Sequence, residues 1–303
     1  MVFPGQGSQS ISMQAELAAE FAEVEATYAE ASEQLGYDLW QLVQEGPPEK
    51  LDETLVTQPA MLAADVATWR VWLKAGGSQP RQMAGHSLGE YSALVCSGSL
   101  AFTDAIRLIR QRSILMQDAL PLGTGAMAAV LGLEDEAILD ICDEASGVGV
   151  AEAVNFNSPG QVVVAGHKTA VERVVQLAKD KGAKRAILLH VSVPSHSTLM
   201  RPAGEALREP LNHTPFENPS VTVLNSVDAT AYGDATDVRD RLARQVYSPV
   251  HWVTTVRVMI ANGATNIVEC GPGKVLAALC RRIDRKTPSI CIDSPAALKS
   301  ALH

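Results

Sequence analysis

The sequence contains 303 residues, of which 47% are hydrophobic and 19% are charged, and its formal net charge is −9. A chain of this length and composition can bury a large core, which excludes a disordered protein. The negative charge disfavours non-specific binding to nucleic acid or to an anionic membrane. No charged leader precedes an apolar stretch, and no apolar run could span a bilayer, so we expect a cytoplasmic protein.

The cysteines indicate neither a disulfide framework nor a zinc site. Their number is odd, and none of them forms a C-x-x-C pair. We therefore expect reduced and mostly buried thiols at Cys96, Cys142, Cys270, Cys280 and Cys291.

The N-terminal part of the chain predicts a glycine-rich loop and two helices. Residues 4–9 are too rich in glycine for regular structure, which suggests a backbone held close to another group. Apolar residues recur at helical spacing over residues 17–35, and Gly36 is placed to end that helix. A second helix is predicted with Thr57 as its N-cap and Pro59 in its first turn.

The G-x-S-x-G pattern at residues 85–89 predicts a nucleophile elbow, in which Ser87 lies on a sharp turn between a strand and a helix. Residues 81–84 can form the strand, and the segment from Glu90 can form the helix. Backbone N–H groups at the start of that helix could stabilise an oxyanion. An ordinary Gly-Ser turn is the alternative, because the bare pattern occurs often by chance.

A helix carrying three arginines is predicted over residues 105–116. Most arginines on helices are solvated, so we expect Arg107 and Arg110 to face solvent. The periodicity does not separate Arg112 from these two residues, and its environment stays open at this point.

The segment over residues 123–190 predicts a β-α-β-β-α-β unit, which is the ferredoxin-like arrangement. Strands are predicted over 126–133, 148–154, 161–165 and 184–189, and helices over 134–145 and 169–181. We expect this unit to be a small domain inserted into an α/β core formed by residues 1–122 and 191–303. Residues 155–160 are predicted to be a turn rather than a ligand-binding loop.

His196 follows this unit, in a loop at the end of a strand, where active-site residues of α/β proteins collect. His86 abuts Ser87 but belongs to the elbow itself. The other histidines lack a comparable setting: His167, His190, His213, His251 and His303. His196 is therefore the best of several candidates for a general base.

Beyond His196, strands and helices alternate again. Strands are predicted over residues 221–224 and 266–270, and helices over 238–246, 253–260 and through Leu276 and Leu279.

Six motifs, in this order along essentially the whole chain, resemble the family of malonyl-CoA:acyl carrier protein transacylases, which are related to polyketide synthase acyltransferase domains. The motifs are Phe3-Pro4-Gly5-Gln6-Gly7-Ser8-Gln9, Thr57-Gln58-Pro59-Ala60, Gly85-His86-Ser87-Leu88-Gly89-Glu90, Asn155-Phe156-Asn157-Ser158-Pro159-Gly160-Gln161, Pro194-Ser195-His196 and Glu269-Cys270-Gly271-Pro272-Gly273. Their joint occurrence is far more specific than any one of them.

The resemblance implies an α/β fold, with an α/β-hydrolase-like core that contains a parallel sheet and carries the inserted ferredoxin-like domain. The active site would lie in the cleft between the two parts. The resemblance makes Ser87 the nucleophile, His196 the general base and acid, and Arg112 the clamp for the carboxylate of the substrate. An arginine suits that role, because its planar fork of donors matches a carboxylate.

The resemblance also implies a supporting set of backbone groups. The N–H groups of Gln6 and Leu88 would form the oxyanion hole, with Gln6 also in contact with the substrate. A backbone carbonyl at Gln245 would orient His196, since a histidine base needs a third group to fix its tautomer.

The implied reaction is two successive acyl transfers in fatty acid biosynthesis, without a metal or redox cofactor. Malonyl-CoA would acylate Ser87, and the phosphopantetheine thiol of acyl carrier protein would then attack the ester. We also expect a monomer, and from the negative charge we expect neither nucleic acid nor membrane as a partner. Because carrier proteins of this pathway are acidic, docking needs a basic surface. The two candidate clusters are Arg281, Arg282, Arg285 and Lys286, or Lys181, Lys184 and Arg185, and for each of them a solvated charged face is the alternative.

Two features depart from the family pattern. Family members usually carry several more residues before Phe3, so we expect a short first strand. The residues Val193-Pro194-Ser195 differ from the signatures that sort malonyl from methylmalonyl domains in polyketide modules. This difference favours the free-standing enzyme and leaves selectivity against a branched acyl group open.

Two other functions compete with an acyltransferase. An esterase or thioesterase uses the same elbow, but its triad places an acidic residue between serine and histidine in chain order. The candidates lie in the predicted insertion, away from the core: Asp140, Asp143, Glu144 and Glu172. The second alternative is an inactive domain that docks carrier protein, and the joint presence of Ser87, His196 and Arg112 argues against it.

Overall fold

Two β-sheets organise residues 1–189, 191 and 193–302, which are the residues that the computed structural model describes. The strands are Val2–Phe3 (β1), Gln82–Gly85 (β2), Gly125–Leu131 (β3), Ala151–Ser158 (β4), Gln161–His167 (β5), Arg185–Leu188 (β6), Thr222–Leu224 (β7), Ile267–Glu269 (β8) and Ser289–Cys291 (β9). A five-stranded parallel sheet has the order β7-β2-β1-β8-β9. A four-stranded antiparallel sheet has the order β4-β5-β3-β6.

Helices connect these strands and cover the sheets. They are Ala15–Glu20 (α1), Glu23–Leu35 (α2), Leu39–Glu45 (α3), Pro48–Leu51 (α4), Thr54–Lys74 (α5), Gly89–Cys96 (α6), Phe102–Asp118 (α7), Asp135–Ala145 (α8), Lys168–Asp180 (α9), Arg201–His213 (α10), Ala235–Gln245 (α11), Trp252–Ala261 (α12), Val275–Ile283 (α13) and Pro295–Ala301 (α14). The 21-residue α5 is buried around most of its circumference, as a helix inside a large core must be. None of the described helices combines the length and the apolar character that a membrane crossing requires.

The first strand lies at the centre of the parallel sheet, although it has only two residues. Val2 pairs with Ala84 on β2 and with Glu269 on β8. Val2 and Phe3 are both fully buried, because the strands of a parallel sheet are covered on both faces. The strand is short, as expected, and it occupies the middle of the sheet.

The antiparallel sheet has the connections of a ferredoxin-like unit, with α8 between β3 and β4 and α9 between β5 and β6. Both helices pack on one face of this sheet, where Ile138 and Val174 join Val130 and Val162 in a separate apolar cluster. The predicted α/β class, with a parallel sheet and a ferredoxin-like unit, is therefore confirmed. We propose that this unit is an inserted domain over residues 123–190, and that residues 1–122 and 191–303 form the core. Positions 190, 192 and 303 lie outside the described residues.

Two helix predictions were wrong in their bounds. The helix predicted over residues 17–35 is interrupted, because Phe21 takes an extended conformation that ends α1. The second helix, α5, begins at Thr54, so Thr57 is not its N-cap and Pro59 is not in its first turn. The Thr57 hydroxyl donates to the backbone carbonyl of Glu53 at 3.1 Å, which is the bond of a threonine inside a helix.

The turn predicted over residues 155–160 was also wrong, since residues 155–158 belong to β4 and only Pro159 and Gly160 form the turn. Irregular pairing between β4 and β5 accommodates the two asparagines of this segment. Its backbone also reaches the other half of the molecule, because the Phe156 N–H donates to the carbonyl of Val250 at 3.0 Å. The Asn-rich segment therefore bonds the connection between α11 and α12, outside the antiparallel sheet.

Several elements had no counterpart in the sequence analysis: α3, α4, α10, β9 and α14. The remaining predicted elements are present, with bounds that differ by a few residues. All five cysteines are free thiols, and all except Cys291 are buried.

Candidate active site

Ser87 lies on the turn between β2 and α6, and its backbone φ of 54° is left-handed. The flanking glycines are required by close backbone contacts. A Cβ atom on Gly85 would lie 2.0 Å from the Glu90 nitrogen, and one on Gly89 would lie 2.0 Å from the Phe3 carbonyl oxygen. This constrained turn is the predicted elbow, and it presents the Ser87 hydroxyl at the carboxyl edge of the parallel sheet.

The Oγ atom of Ser87 lies 2.7 Å from Nε2 of His196, although 109 positions separate the two residues in the sequence. His196 is 3% exposed, and it also has a left-handed backbone, with a φ of 67°. Serine and imidazole are therefore within hydrogen-bond distance, as a nucleophile and its general base must be.

The other described histidines have different partners. His86 bonds Asn157, His167 accepts from the Val150 N–H, the ring of His213 lies against the Glu209 carbonyl, and His251 stacks on Phe156. His190 and His303 lie outside the described residues. Among the histidines that the structure describes, only His196 contacts Ser87.

The main-chain carbonyl of Gln245 lies 2.8 Å from Nδ1 of His196. Gln245 is the last residue of α11, and the final carbonyls of a helix have no donor within the helix. The negative end of the α11 dipole also faces the ring, which favours the imidazolium formed when His196 accepts a proton. A carbonyl thus occupies the position that a carboxylate holds in a Ser-His-Asp triad. The acidic residues considered for a hydrolase are exposed on α8 and α9: Asp140, Asp143, Glu144 and Glu172.

The pKa of His196 is lowered to about 3, mainly by burial and then by the positive charge of Arg112. The hydrogen bond to the Gln245 carbonyl opposes this lowering. Imidazole is therefore neutral at physiological pH. A proton on Nδ1, donated to Gln245, leaves the lone pair of Nε2 directed at the Ser87 hydroxyl.

The glycine-rich loop lies against the elbow. A Cβ atom on Gly5 would lie 2.5 Å from the His86 carbonyl oxygen and 3.7 Å from the Leu88 nitrogen. The backbone N–H groups of Gln6 and Leu88 donate to no acceptor in the described part of the chain. Two unused backbone donors therefore flank the turn that carries Ser87, and the Gln6 side chain is exposed beside them.

Arg112 is 2% exposed, whereas Arg107 and Arg110 on the same helix are exposed as predicted. Its Nη1 donates to Oε1 of Gln58 at 2.6 Å, and its Nη2 donates to Oε1 of Gln245 at 3.1 Å. Its Nε has no partner among the described residues. Both partners are neutral amides, so no anion is bonded to this buried cation, and an anionic ligand would supply the missing charge.

Three residues complete this site without having been predicted as part of it. Gln58 and Glu90 stood inside quoted motifs without a role, and Asn157 was assigned to a turn. Asn157 instead bonds His86, the neighbour of Ser87, at 2.8 Å. A detectable signal existed for Glu90, because a carboxylate within an apolar helical segment needs buried donors.

Comparisons with known proteins place this geometry in context. Residues 1–287 match the acyl transferase domain family. Over 301 residues the chain is 53% identical to the malonyl CoA-acyl carrier protein transacylase of Salmonella typhimurium, covering 99% of this chain and 97% of that protein. The enzyme of the same name from Bacillus subtilis strain 168 is 41% identical over 303 residues, covering 100% of this chain and 95% of that protein.

Solved structures of the same kind are also similar. An acyl carrier protein S-malonyltransferase from Vibrio cholerae has a TM-score of 0.96 and 54% identity, covering 99% of this chain and 98% of that chain. A malonyl-transacylase solved in complex with its type II PKS acyl carrier protein has a TM-score of 0.98 and 51% identity. That match covers 100% of this chain and 98% of the solved one.

Proposed function

The chain belongs to the acyl transferase family, among the malonyl CoA-acyl carrier protein transacylases, and we propose from this that it transfers malonyl groups from malonyl-CoA to an acyl carrier protein. One observation carries the proposal. Gln245 bonds His196 through its main-chain oxygen and Arg112 through its side chain. Gln245 therefore connects the two places, and a carboxylate bound at Arg112 would be linked to the Ser87–His196 pair through this single residue.

The first half of the reaction acylates Ser87. His196 Nε2 accepts the Oγ proton while Oγ attacks the thioester carbonyl of malonyl-CoA. The N–H groups of Gln6 and Leu88 stabilise the oxyanion of the tetrahedral intermediate. The C–S bond then breaks, the leaving sulfur of coenzyme A takes the proton from His196, and a malonyl ester remains on Ser87.

The second half reverses these roles. His196 accepts the proton of the phosphopantetheine thiol, and the sulfur attacks the ester carbonyl. Collapse of the intermediate returns the proton to Ser87 Oγ and releases malonyl carrier protein. No metal or redox cofactor takes part in either half, because both are transfers of an acyl group between oxygen and sulfur.

Arg112 selects the substrate in this proposal. Its guanidinium pairs with the free carboxylate of the malonyl group, and Gln58 and Gln245 hold it in position. Gln6, exposed at the rim, contacts the substrate next to the oxyanion hole.

We further propose that the cluster Arg281, Arg282, Arg285 and Lys286 docks the acidic carrier protein, and that the enzyme acts as a cytoplasmic monomer in fatty acid biosynthesis. All four side chains are exposed, and α13, which carries the first two, packs on β4. The other cluster is a poorer candidate, because Lys181 pairs with Glu144 at 3.2 Å.

Mass spectrometry of the acyl-enzyme tests the function. Incubation with malonyl-CoA in the absence of carrier protein should add one malonyl group to Ser87, and Ser87→Ala should remain unmodified. Initial rates at varied concentrations of both substrates should give the parallel lines of a ping-pong mechanism. Intersecting lines without an adduct would contradict the proposal, and rapid loss of the adduct to water would indicate a hydrolase.

A further inference from the structure

Glu90 is a fully buried carboxylate on α6, three residues after Ser87. Its Oε2 accepts from the backbone N–H of Ser226 at 3.2 Å, from the Ser226 hydroxyl at 2.6 Å and from Nε2 of Gln245 at 2.6 Å. Its Oε1 accepts from the Tyr232 hydroxyl. Donors from the loop between β7 and α11 and from the end of α11 therefore converge on one side chain, and the mechanism proposed above gives that side chain no role.

The carboxylate of Glu90 determines which end of the Gln245 amide faces Arg112. An ionised carboxylate can only accept hydrogen bonds, so the amide must turn its NH2 group toward Glu90. That NH2 group also donates to the Ser87 carbonyl at 3.0 Å, and the amide oxygen consequently points at Arg112 Nη2. In the opposite orientation, the NH2 group of Gln245 would face the N–H donor of Arg112, and the amide oxygen of Gln245 would face the carboxylate of Glu90. Neither hydrogen bond could then form.

Burial raises the pKa of Glu90, and the hydrogen bonds from Ser226, Tyr232 and Gln245 oppose this rise because they favour the ionised form. The negative charge of that form balances Arg112 without blocking it. A carboxylate bonded directly to the guanidinium would occupy the donors that a substrate carboxylate needs. The hydrogen bonds that connect Glu90 with Arg112 pass through the Gln245 amide. The charge of Glu90 therefore favours the cationic form of Arg112, while the guanidinium donors remain free to bind a substrate carboxylate.

We propose that Glu90 is a positioning residue that fixes the Gln245 amide and thereby keeps Arg112 oriented toward the carboxylate of the acyl group. Glu90 does not touch the substrate, and its effect is on selectivity for malonyl over acetyl groups. The inference rests on the proposed function, since it takes Arg112 as the site of the malonyl carboxylate.

The test compares the rates at which malonyl-CoA and acetyl-CoA acylate Ser87 in Glu90→Gln. This variant keeps the size of the side chain but loses its charge and gains an NH2 group. The malonyl rate should fall about 10- to 100-fold, the effect of losing a hydrogen bond to a charged group, while the acetyl rate stays within about threefold. Tyr232→Phe is the matched control, because it removes one donor and leaves the carboxylate bonded to Gln245; its selectivity should be unchanged.

A double-mutant cycle gives a second readout. In an Arg112→Ala background, Glu90→Gln should cause no further loss of the malonyl rate, because the two residues act through one contact. Equal losses of the malonyl and acetyl rates, no loss at all, or full additivity in the cycle would overturn the inference.

Gln245→Leu serves if Glu90→Gln does not fold. It breaks the same connection and keeps the main-chain carbonyl, so the ratio of malonyl to acetyl rates should fall, and an unchanged ratio would overturn the inference. Wild-type protein that forms no malonyl ester would overturn the proposed function together with this inference. A wild-type malonyl ester with unchanged selectivity in Glu90→Gln would overturn this inference alone.

Discussion

Asn157 Oδ1 lies 2.8 Å from Nε2 of His86, and this hydrogen bond joins the antiparallel sheet to the residue that precedes Ser87. His86 also packs edge-on against Trp252, with ring centroids 5.5 Å apart. Burial lowers the pKa of His86, so the ring is neutral and donates from Nε2 to the asparagine oxygen. The position of the elbow thus depends on a side chain from the other half of the molecule.

Asn157→Ala should therefore weaken both the stability and the acylation step. The lost partner leaves a half-buried imidazole donor unsatisfied, which should reduce the free energy of unfolding by about 1–3 kcal/mol. Urea unfolding measures this change, and acylation of Ser87 should slow in parallel. Asn212→Ala, an exposed asparagine at the end of α10, is the control and should change neither quantity.

Arg112→Ala should lower malonyl transfer by a factor on the order of 10² to 10³ or more, because a buried ion pair that loses one member typically costs about 3–5 kcal/mol. Acetyl transfer has no carboxylate to lose and should hold steady or improve. Arg112→Lys should restore only part of the activity. Arg110→Ala, an exposed arginine on the same helix, is the control. A variant that still prefers malonyl-CoA to acetyl-CoA would remove Arg112 from the site.

The lowered pKa of His196 predicts that the rate of Ser87 modification stays constant down to an unusually low pH. The base must be unprotonated to activate Ser87, and its pKa of about 3 keeps it so well below the ordinary value of 6.5. The rate of Ser87 modification by an uncharged serine-directed reagent should therefore stay flat from about pH 8 to about pH 5. Arg112→Ala removes a charge that lowers this pKa, so in this variant the rate of modification should begin to fall at a higher pH. A wild-type rate that falls near pH 6.5 would contradict the lowered pKa of His196.

Charge reversal should identify the surface that docks carrier protein. Arg285→Glu with Lys286→Glu should raise the KM for carrier protein and leave the KM for malonyl-CoA unchanged, since the effect acts on encounter with an acidic partner. The matched control reverses Lys181 and Lys184, which should have little effect. Equal changes in both KM values, or a larger effect from the control pair, would refute the docking surface.

Glu269 should make stability depend on pH. Its carboxylate accepts from the backbone N–H groups of Leu276 at 3.0 Å and Ala277 at 2.8 Å, yet burial raises its pKa from 4.5 to about 7. The stabilisation linked to the protonated form is complete below pH 4.5 and is lost as pH rises through about 7. The free energy of unfolding should fall by about 2–3 kcal/mol more between pH 5 and pH 8 in wild type than in Glu269→Gln. Equal slopes in the two proteins would contradict this expectation.

The family and the fold class could be predicted because the motifs record local backbone constraints. Gly85 and Gly89 are required because a Cβ atom at either position would lie less than 3 Å from neighbouring backbone atoms. This requirement produces the glycine pattern around Ser87. The comparisons confirm the resemblance that these motifs suggested. His196 was predicted as a candidate base from its loop position at the end of a strand, and its pairing with Ser87 came from the resemblance.

The rest depends on tertiary contacts that have no local signature. Arg112 and Arg110 are alike in sequence, and only the packing of α7 against Gln58 and Gln245 distinguishes them. In the sequence, Asn157 is typical of a turn, and its contact with His86 becomes apparent only from the packing of β4 against that residue. Thr57 resembles an N-cap, but burial of the preceding turn extends α5 beyond it.

The central place of β1 has a consequence for folding during synthesis. Its two residues are made before either partner strand, since they pair with β2 near position 84 and with β8 near position 269. The parallel sheet therefore cannot close until the chain has been made through about position 269. The antiparallel unit, whose strands all lie between positions 125 and 188, needs only contacts close in sequence and should form earlier. Until β8 emerges, one edge of β1 has no strand to pair with.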